Sequence, residues 1–161
     1  MKLSHTLAPA LFALASSTAI ADVVPVSEVT VAADIAAIGN EEAALFWSSI
    51  AEDLENAILS KIVDRIEDEG VKISVRLEEV ALANSFERNF DLEESVLVGQ
   101  VNITDENNNA NFNSYELSVS LSGMTVVDES GEPLLFESVE NERAYETLIT
   151  AFADGVVSRL D

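Results

Sequence analysis

The sequence predicts a two-layer α+β domain: an antiparallel meander of three to four strands with two amphipathic helices packed on one of its faces. Three observations carry that expectation. Apolar residues recur every three or four positions between Asn40 and Gly70, and again from Tyr145 to Leu160, whereas in the chain between them the period falls to two. Two helical stripes and one alternating block need a common core. Laying both helices across one face of the sheet buries all three.

Residues 22–38 mix valine-rich and alanine-rich stretches, and they read as an extended arm ending in a helical turn or as part of the core. The helical signal begins at Asn40, a favoured N-cap, with Glu41 and Glu42 opposing the helix dipole and Gly70 placed to end the helix. Trp47, Ile50, Leu54, Ile58, Ile62 and Ile66 form its apolar stripe, and Glu52, Asp53, Glu55, Asp64, Glu67 and Asp68 take other positions. After Gly70, Val71, Ile73, Val75 and Leu77 alternate with Lys72, Ser74, Arg76 and Glu78, then Val80 and Leu82 continue on the opposite parity. One extra residue produces such a slip, which predicts a β-bulge near Glu78–Glu79.

A second strand is expected over residues 95–104, with Leu97, Val101 and Ile103 on one face and Val96 and Val98 on a partly covered other face. The third alternates most regularly: Tyr115, Leu117, Val119 and Leu121 inward, Glu116, Ser118, Ser120 and Ser122 outward. Residues 128–133 read as a turn, and Leu134, Leu135 and Phe136 as a short returning edge strand. Tyr145, Leu148, Ile149, Phe152, Val156 and Leu160 hold one face of the closing helix. The chain contains no internal repeat or linker. This order of elements resembles that of small accessory domains of the bacterial envelope, without a diagnostic motif that carries residues across.

The amino terminus predicts export. Met1-Lys2 supplies a short positive start, residues 7–20 are apolar or small, and Ala19-Ile20-Ala21 offers small residues where a signal peptidase reads. Cleavage before Asp22 is therefore expected, leaving residues 22–161 as a single domain. The apolar stretch is shorter than the roughly 18–20 residues that cross a bilayer as a helix, so no membrane insertion of the mature chain is expected. With no cysteine the chain has no disulfide and no site for a bacterial lipid anchor, and a bacterial periplasmic or extracellular location is favoured. A sequon stands at Asn102-Ile103-Thr104.

Charge excludes further classes. The 161 residues carry 8 bases and 30 acids, a formal −22, and loss of Lys2 with the leader leaves 7 bases and −23. Such a field repels phosphate backbones and anionic lipid surfaces, so no nucleic-acid partner is expected. The acids are scattered, as at Glu78-Glu79 and residues 91–94 and 128–142, which reads as a solvated surface suited to a salty habitat. Attraction to a basic partner or to cations is the alternative.

The only histidine, His5, lies in the leader, so the mature chain has neither imidazole nor thiol. That removes Ser-His-Asp and Cys-His catalysis, histidine- or thiolate-bound zinc, cysteine-attached haem and iron–sulfur clusters. A Ser-x-x-Lys motif is absent too: Ile58 and Glu69 stand three residues before Lys61 and Lys72. Six single glycines form no phosphate-binding loop. A pair of carboxylates of the glycosidase kind remains as an enzymatic alternative, but thirty acids make pairing uninformative and Trp47 sits on the core stripe. No catalytic, cofactor-binding or metal-ligating residue is assigned, and no cofactor is expected.

The asparagine-rich segment "TDENNNANFNSYEL" poses one specific question. With Asp105 first, a calcium-loop register places Asn107 third, Asn109 fifth, Asn111 seventh, Phe112 eighth, Asn113 ninth and Glu116 twelfth. Against it, Ala110 takes the sixth place, where a left-handed backbone costs a non-glycine residue roughly 1 kcal/mol or more. The flanks also read as strands, and Glu116 belongs to the third strand's outward row. A long hairpin loop, in which asparagines bond their own backbone, explains the same residues without metal. The leading expectation is thus an exported, non-catalytic acidic domain that binds a protein or an envelope component. A weak calcium-dependent module and a small carboxylate-based hydrolase are the alternatives.

Overall fold

The computed structural model describes residues 23–37, 41–78, 96–121 and 141–160. Four strands form one mixed sheet in the order β1-β2-β3-β4: β1 Val26–Ala32, β2 Val71–Leu77, β3 Val96–Thr104 and β4 Asn113–Ser120. Among the described residues three α-helices accompany it: α1 Glu41–Phe46, α2 Ile50–Lys61 and α3 Asn141–Val157. The class is α+β. Asn40, the expected bulge beyond Glu78, the turn at 128–133, the short strand at 134–136 and residues 1–21 lie outside the described residues.

The meander expected from the alternating block is present as β2, β3 and β4, which pair antiparallel with Ile73 opposite Ile103 and Val101 opposite Tyr115. The expectation of a wholly antiparallel sheet is corrected at its first strand. β1 is a strand rather than an arm, and it runs parallel to β2, from Val26 beside Val71 to Ala32 beside Arg76. A parallel neighbour requires a crossover, which α1 and α2 supply. Its start is fastened by three backbone and side-chain bonds: Val71 N–H to the Pro25 carbonyl at 2.9 Å, Glu67 N–H to the Val26 carbonyl at 3.0 Å, and Ser27 Oγ to the Gly70 carbonyl at 3.1 Å.

The single long helix expected from Asn40 to Gly70 is also corrected. The chain turns tightly at Trp47–Ser49, where the Ile50 N–H donates to the Trp47 carbonyl at 3.1 Å, and α2 ends at Lys61, nine residues before Gly70. Trp47, Ile50, Leu54, Ile58 and Ile62 are all buried, so the stripe survives the break. Ile66 leaves it. That residue is 49 % exposed and makes a bridge to Val26 instead.

The buried side chains gather in one cluster. On the sheet it takes Val71, Ile73, Val75 and Leu77 of β2, Leu97, Val101 and Ile103 of β3, and Val119 of β4. From the helices it takes Ile50, Leu54 and Ile58 of α2 with Leu148, Phe152 and Val156 of α3. α2 and α3 pack against each other, α2 also meets β1, and α3 crosses β3 and β4. Gly99 makes that crossing close: a methyl group there would lie 3.0 Å from the Phe152 ring and 3.1 Å from the Arg76 carbonyl oxygen. The outer sides of both helices, Glu52, Asn56 and Ser60 on one and Glu142, Glu146 and Thr150 on the other, are exposed. Among the described residues no helix is long and apolar enough to cross a membrane.

Candidate functional site

Asparagine and aspartate side chains bond nearby backbone amides more readily than they extend a ladder, so the segment between β3 and β4 closes on itself. Asp105 Oδ1 accepts from the N–H groups of Asn107 at 2.8 Å and Asn108 at 3.0 Å, while Oδ2 accepts from Asn111 Nδ2 at 2.7 Å. Asn108 Oδ1 takes the Ala110 N–H at 3.0 Å and starts a single 3₁₀ turn, Asn109–Asn111. These donors, the Asn107 amide foremost and the Asn111 side chain next, hold the Asp105 carboxyl below its ordinary range. Beside it, Lys72 Nζ donates to Glu106 at 2.8 Å, which pulls the Glu106 carboxyl down and pushes the Lys72 ammonium up.

That geometry places the twelve positions of the calcium-loop register along a hairpin. Asn113 opens β4 opposite Ile103, and Glu116 stands in mid-strand opposite Gln100. The first position faces amide donors, and the twelfth lies on the sheet. Among the described residues no group of three or more acids converges as metal ligands do.

Among the described residues, two concavities bear on a site. The first is a pocket of about 230 Å³ at the end of the sheet, lined by Val24, Val71, Ile103, residues 110–113, Arg159 and Leu160. Arg159 stacks over the Tyr115 ring, 4.3 Å from guanidinium carbon to ring centroid. The Tyr115 hydroxyl is buried without a hydrogen-bond partner among the described residues, and burial raises its pKa against the opposing pull of Arg159. Phe112 stands at the rim, 62 % exposed.

The second is a cleft of about 440 Å³ lined by Asp53 of α2 and Glu142, Tyr145, Glu146, Ile149 and Thr150 of α3. The Tyr145 hydroxyl donates to Asp53 Oδ2 at 2.7 Å. Burial first, and that carboxylate second, raise the Tyr145 pKa far above its usual value. Behind it Phe46, Trp47 and Tyr145 pack ring against ring, with centroids 4.8 to 5.9 Å apart. Trp47 is only 3 % exposed, so it is a core residue rather than a platform for a sugar.

The face of the sheet opposite the core is polar in its middle rows. Cross-strand pairing sets Thr30, Ser74, Asn102 and Ser114 in one row, and Ala32, Arg76, Gln100 and Glu116 in the next. Ser114 Oγ donates to Asn102 Oδ1 at 2.7 Å and accepts from Gln100 Nε2 at 3.1 Å, tying the rows together. Asn102, the sequon asparagine, is thus a mid-strand residue of β3. Val96 and Val98 share this face, half-buried opposite Ser120 and Ser118. Neither Arg159 nor the Tyr145–Asp53 pair was singled out by sequence reasoning. An arginine stacked on a strand tyrosine and a tyrosine bonded 92 residues away leave no local pattern.

Comparison with protein-family models, with curated proteins and with solved structures returned no match.

Proposed function

We propose that this is an exported, non-catalytic acidic domain that binds a protein or an envelope component through the polar face of its sheet. The observation that carries the reading is the division of the sheet: one face feeds the core, and the other presents a row of Thr30, Ser74, Asn102 and Ser114 beside one holding Arg76, Gln100 and Glu116, flanked by Val96 and Val98. Hydroxyl, amide, guanidinium and carboxylate groups stand side by side there and offer a partner both donors and acceptors. The row of Thr30, Ser74, Asn102 and Ser114 has short side chains, so ordering it on binding costs little entropy. The amino-terminal leader motivates export, and the lack of histidine and cysteine beyond it motivates a binding role over chemistry.

Site-resolved cross-linking tests it. A photo-crosslinking residue placed at Ser74 or Ser118, in the protein expressed in its native envelope, is expected to trap a defined partner. The same residue at Asn56, on the outer side of α2, is expected to trap none. Recovery of monomer alone from all three positions rejects the reading.

A further inference from the structure

The pocket at the end of the sheet combines an apolar floor, an arginine and an amide side chain. Its floor is apolar and nearly closed: Val71, Ile103 and Leu160 are each 4 % exposed or less. Its wall carries Arg159, which has no carboxylate partner among the described residues, in a chain of 30 acids and 8 bases where Lys61 and Lys72 are both ion-paired. Stacking on Tyr115 orients the guanidinium and leaves its planar fork for an acceptor. The nearest acids of the hairpin tip are already engaged, Asp105 by three donors and Glu106 by Lys72. Asn111, which lines the pocket, gives its Nδ2 to Asp105, and its Oδ1 remains able to accept.

From these observations we infer that the pocket binds a C-terminal carboxylate of a peptide ending in an aliphatic residue. The flat carboxylate matches the guanidinium fork, the side chain fits the apolar floor, and the terminal peptide N–H meets the Asn111 carbonyl. The volume of about 230 Å³ suits a single residue. It lies below the roughly 300–1,000 Å³ of sites for larger ligands. A phosphate dianion has only one cation here to meet it, against the field of a −22 chain. This inference deepens the binding role proposed above and gives that role a second, chemically defined contact.

The test is a titration of the full chain, followed by NMR at the amides of Asn111, Phe112, Asn113 and Leu160, with three small probes. N-acetyl-leucine is expected to give saturable shifts at these amides. Its amide, N-acetyl-leucinamide, and its des-amino counterpart, 4-methylpentanoate, are each expected to bind at least several-fold more weakly. Arg159→Gln lowers the affinity for N-acetyl-leucine about tenfold or more, the loss of one charge-assisted pair. Arg159 is an exposed residue, so this variant keeps the fold. Equal binding of acid and amide, equal binding of 4-methylpentanoate, or an unchanged affinity in Arg159→Gln each overturns the inference. A failed titration with intact cross-linking at Ser74 and Ser118 overturns the pocket alone. The reverse result overturns the sheet-face reading alone.

Discussion

Asp105 meets three donors with two oxygens, so it is the side chain that makes the most bonds within its loop. Replacing it tests that directly. Asp105→Ala is expected to speed hydrogen exchange at the amides of Asn107 and Asn108 while leaving β2 protection intact, because the freed N–H groups have only water to turn to. The depressed pKa gives the pH dependence. A carboxyl lowered in the folded state stabilises it above the ordinary value of 3.8, and that contribution disappears as pH falls through the lower folded value. Calcium at about 10 mM, above the range near 10⁻⁴–10⁻³ M of extracellular calcium modules, is expected to leave the melting temperature of the chain unchanged relative to a salt-matched control. Here the sequence was half-legible: the oxygen spacing was visible, but the direction of Asn111 was not, since its amide nitrogen and not its oxygen faces Asp105. Gly70 gives the parallel lesson for backbone approach. A Cβ there would lie 2.5 Å from the Pro25 carbonyl oxygen, where β1 and β2 converge, so Gly70→Ala is expected to cost about 1–3 kcal/mol in urea unfolding.

β2, β3 and β4 were readable because each keeps one parity on the core side, as Val71 through Leu77 do without interruption. β1 was not, for a physical reason. Its pairing with β2 shifts between Val26 and Glu28, so the buried residues are Val26 and Val29, three apart, and the period of two is lost. The helix break was hidden differently. The tight turn at Trp47–Ser49 closes with a bond from the Ile50 N–H to the Trp47 carbonyl and leaves both side chains buried, so their three-residue spacing reads as helical. Packing between α2 and α3 gives a prediction of its own. The Tyr145 hydroxyl bonds Asp53 across the two helices, and burial holds it protonated above the ordinary tyrosine value of 10. The unfolded chain releases that proton near pH 10 and the folded chain does not, so stability falls as pH rises through that range. Tyr145→Phe is expected to lose about 0.5–1.5 kcal/mol near neutral pH. It should also show a smaller drop in melting temperature than the parent between about pH 8 and about pH 10.5.

The charge of −22 acts on every element at once. A fully exposed acid costs little alone, yet Asp53, Glu142 and Glu146 line one cleft and Glu28 and Glu106 share the single ammonium of Lys72, so like charges crowd at that cleft and beside the hairpin tip. Self-repulsion of this kind destabilises the compact state more than the expanded one, and salt relieves it. Composition made the charge fully legible, but only the fold shows which acids become neighbours. Raising ionic strength from about 0.01 M to about 1 M shortens the screening length from roughly 30 Å to roughly 3 Å, which is shorter than the spacing between helices. The melting temperature is therefore expected to climb steadily across that range. Sodium chloride and choline chloride separate the two ways salt can act. Equal gains with both identify screening of a diffuse negative surface, whereas a gain confined to sodium identifies cations held at particular carboxylates. Equal gains are expected, because no described group of three acids converges on one point. A melting temperature indifferent to both salts would mean that the acids are spaced too widely to repel, and the crowding argued for the cleft would be wrong.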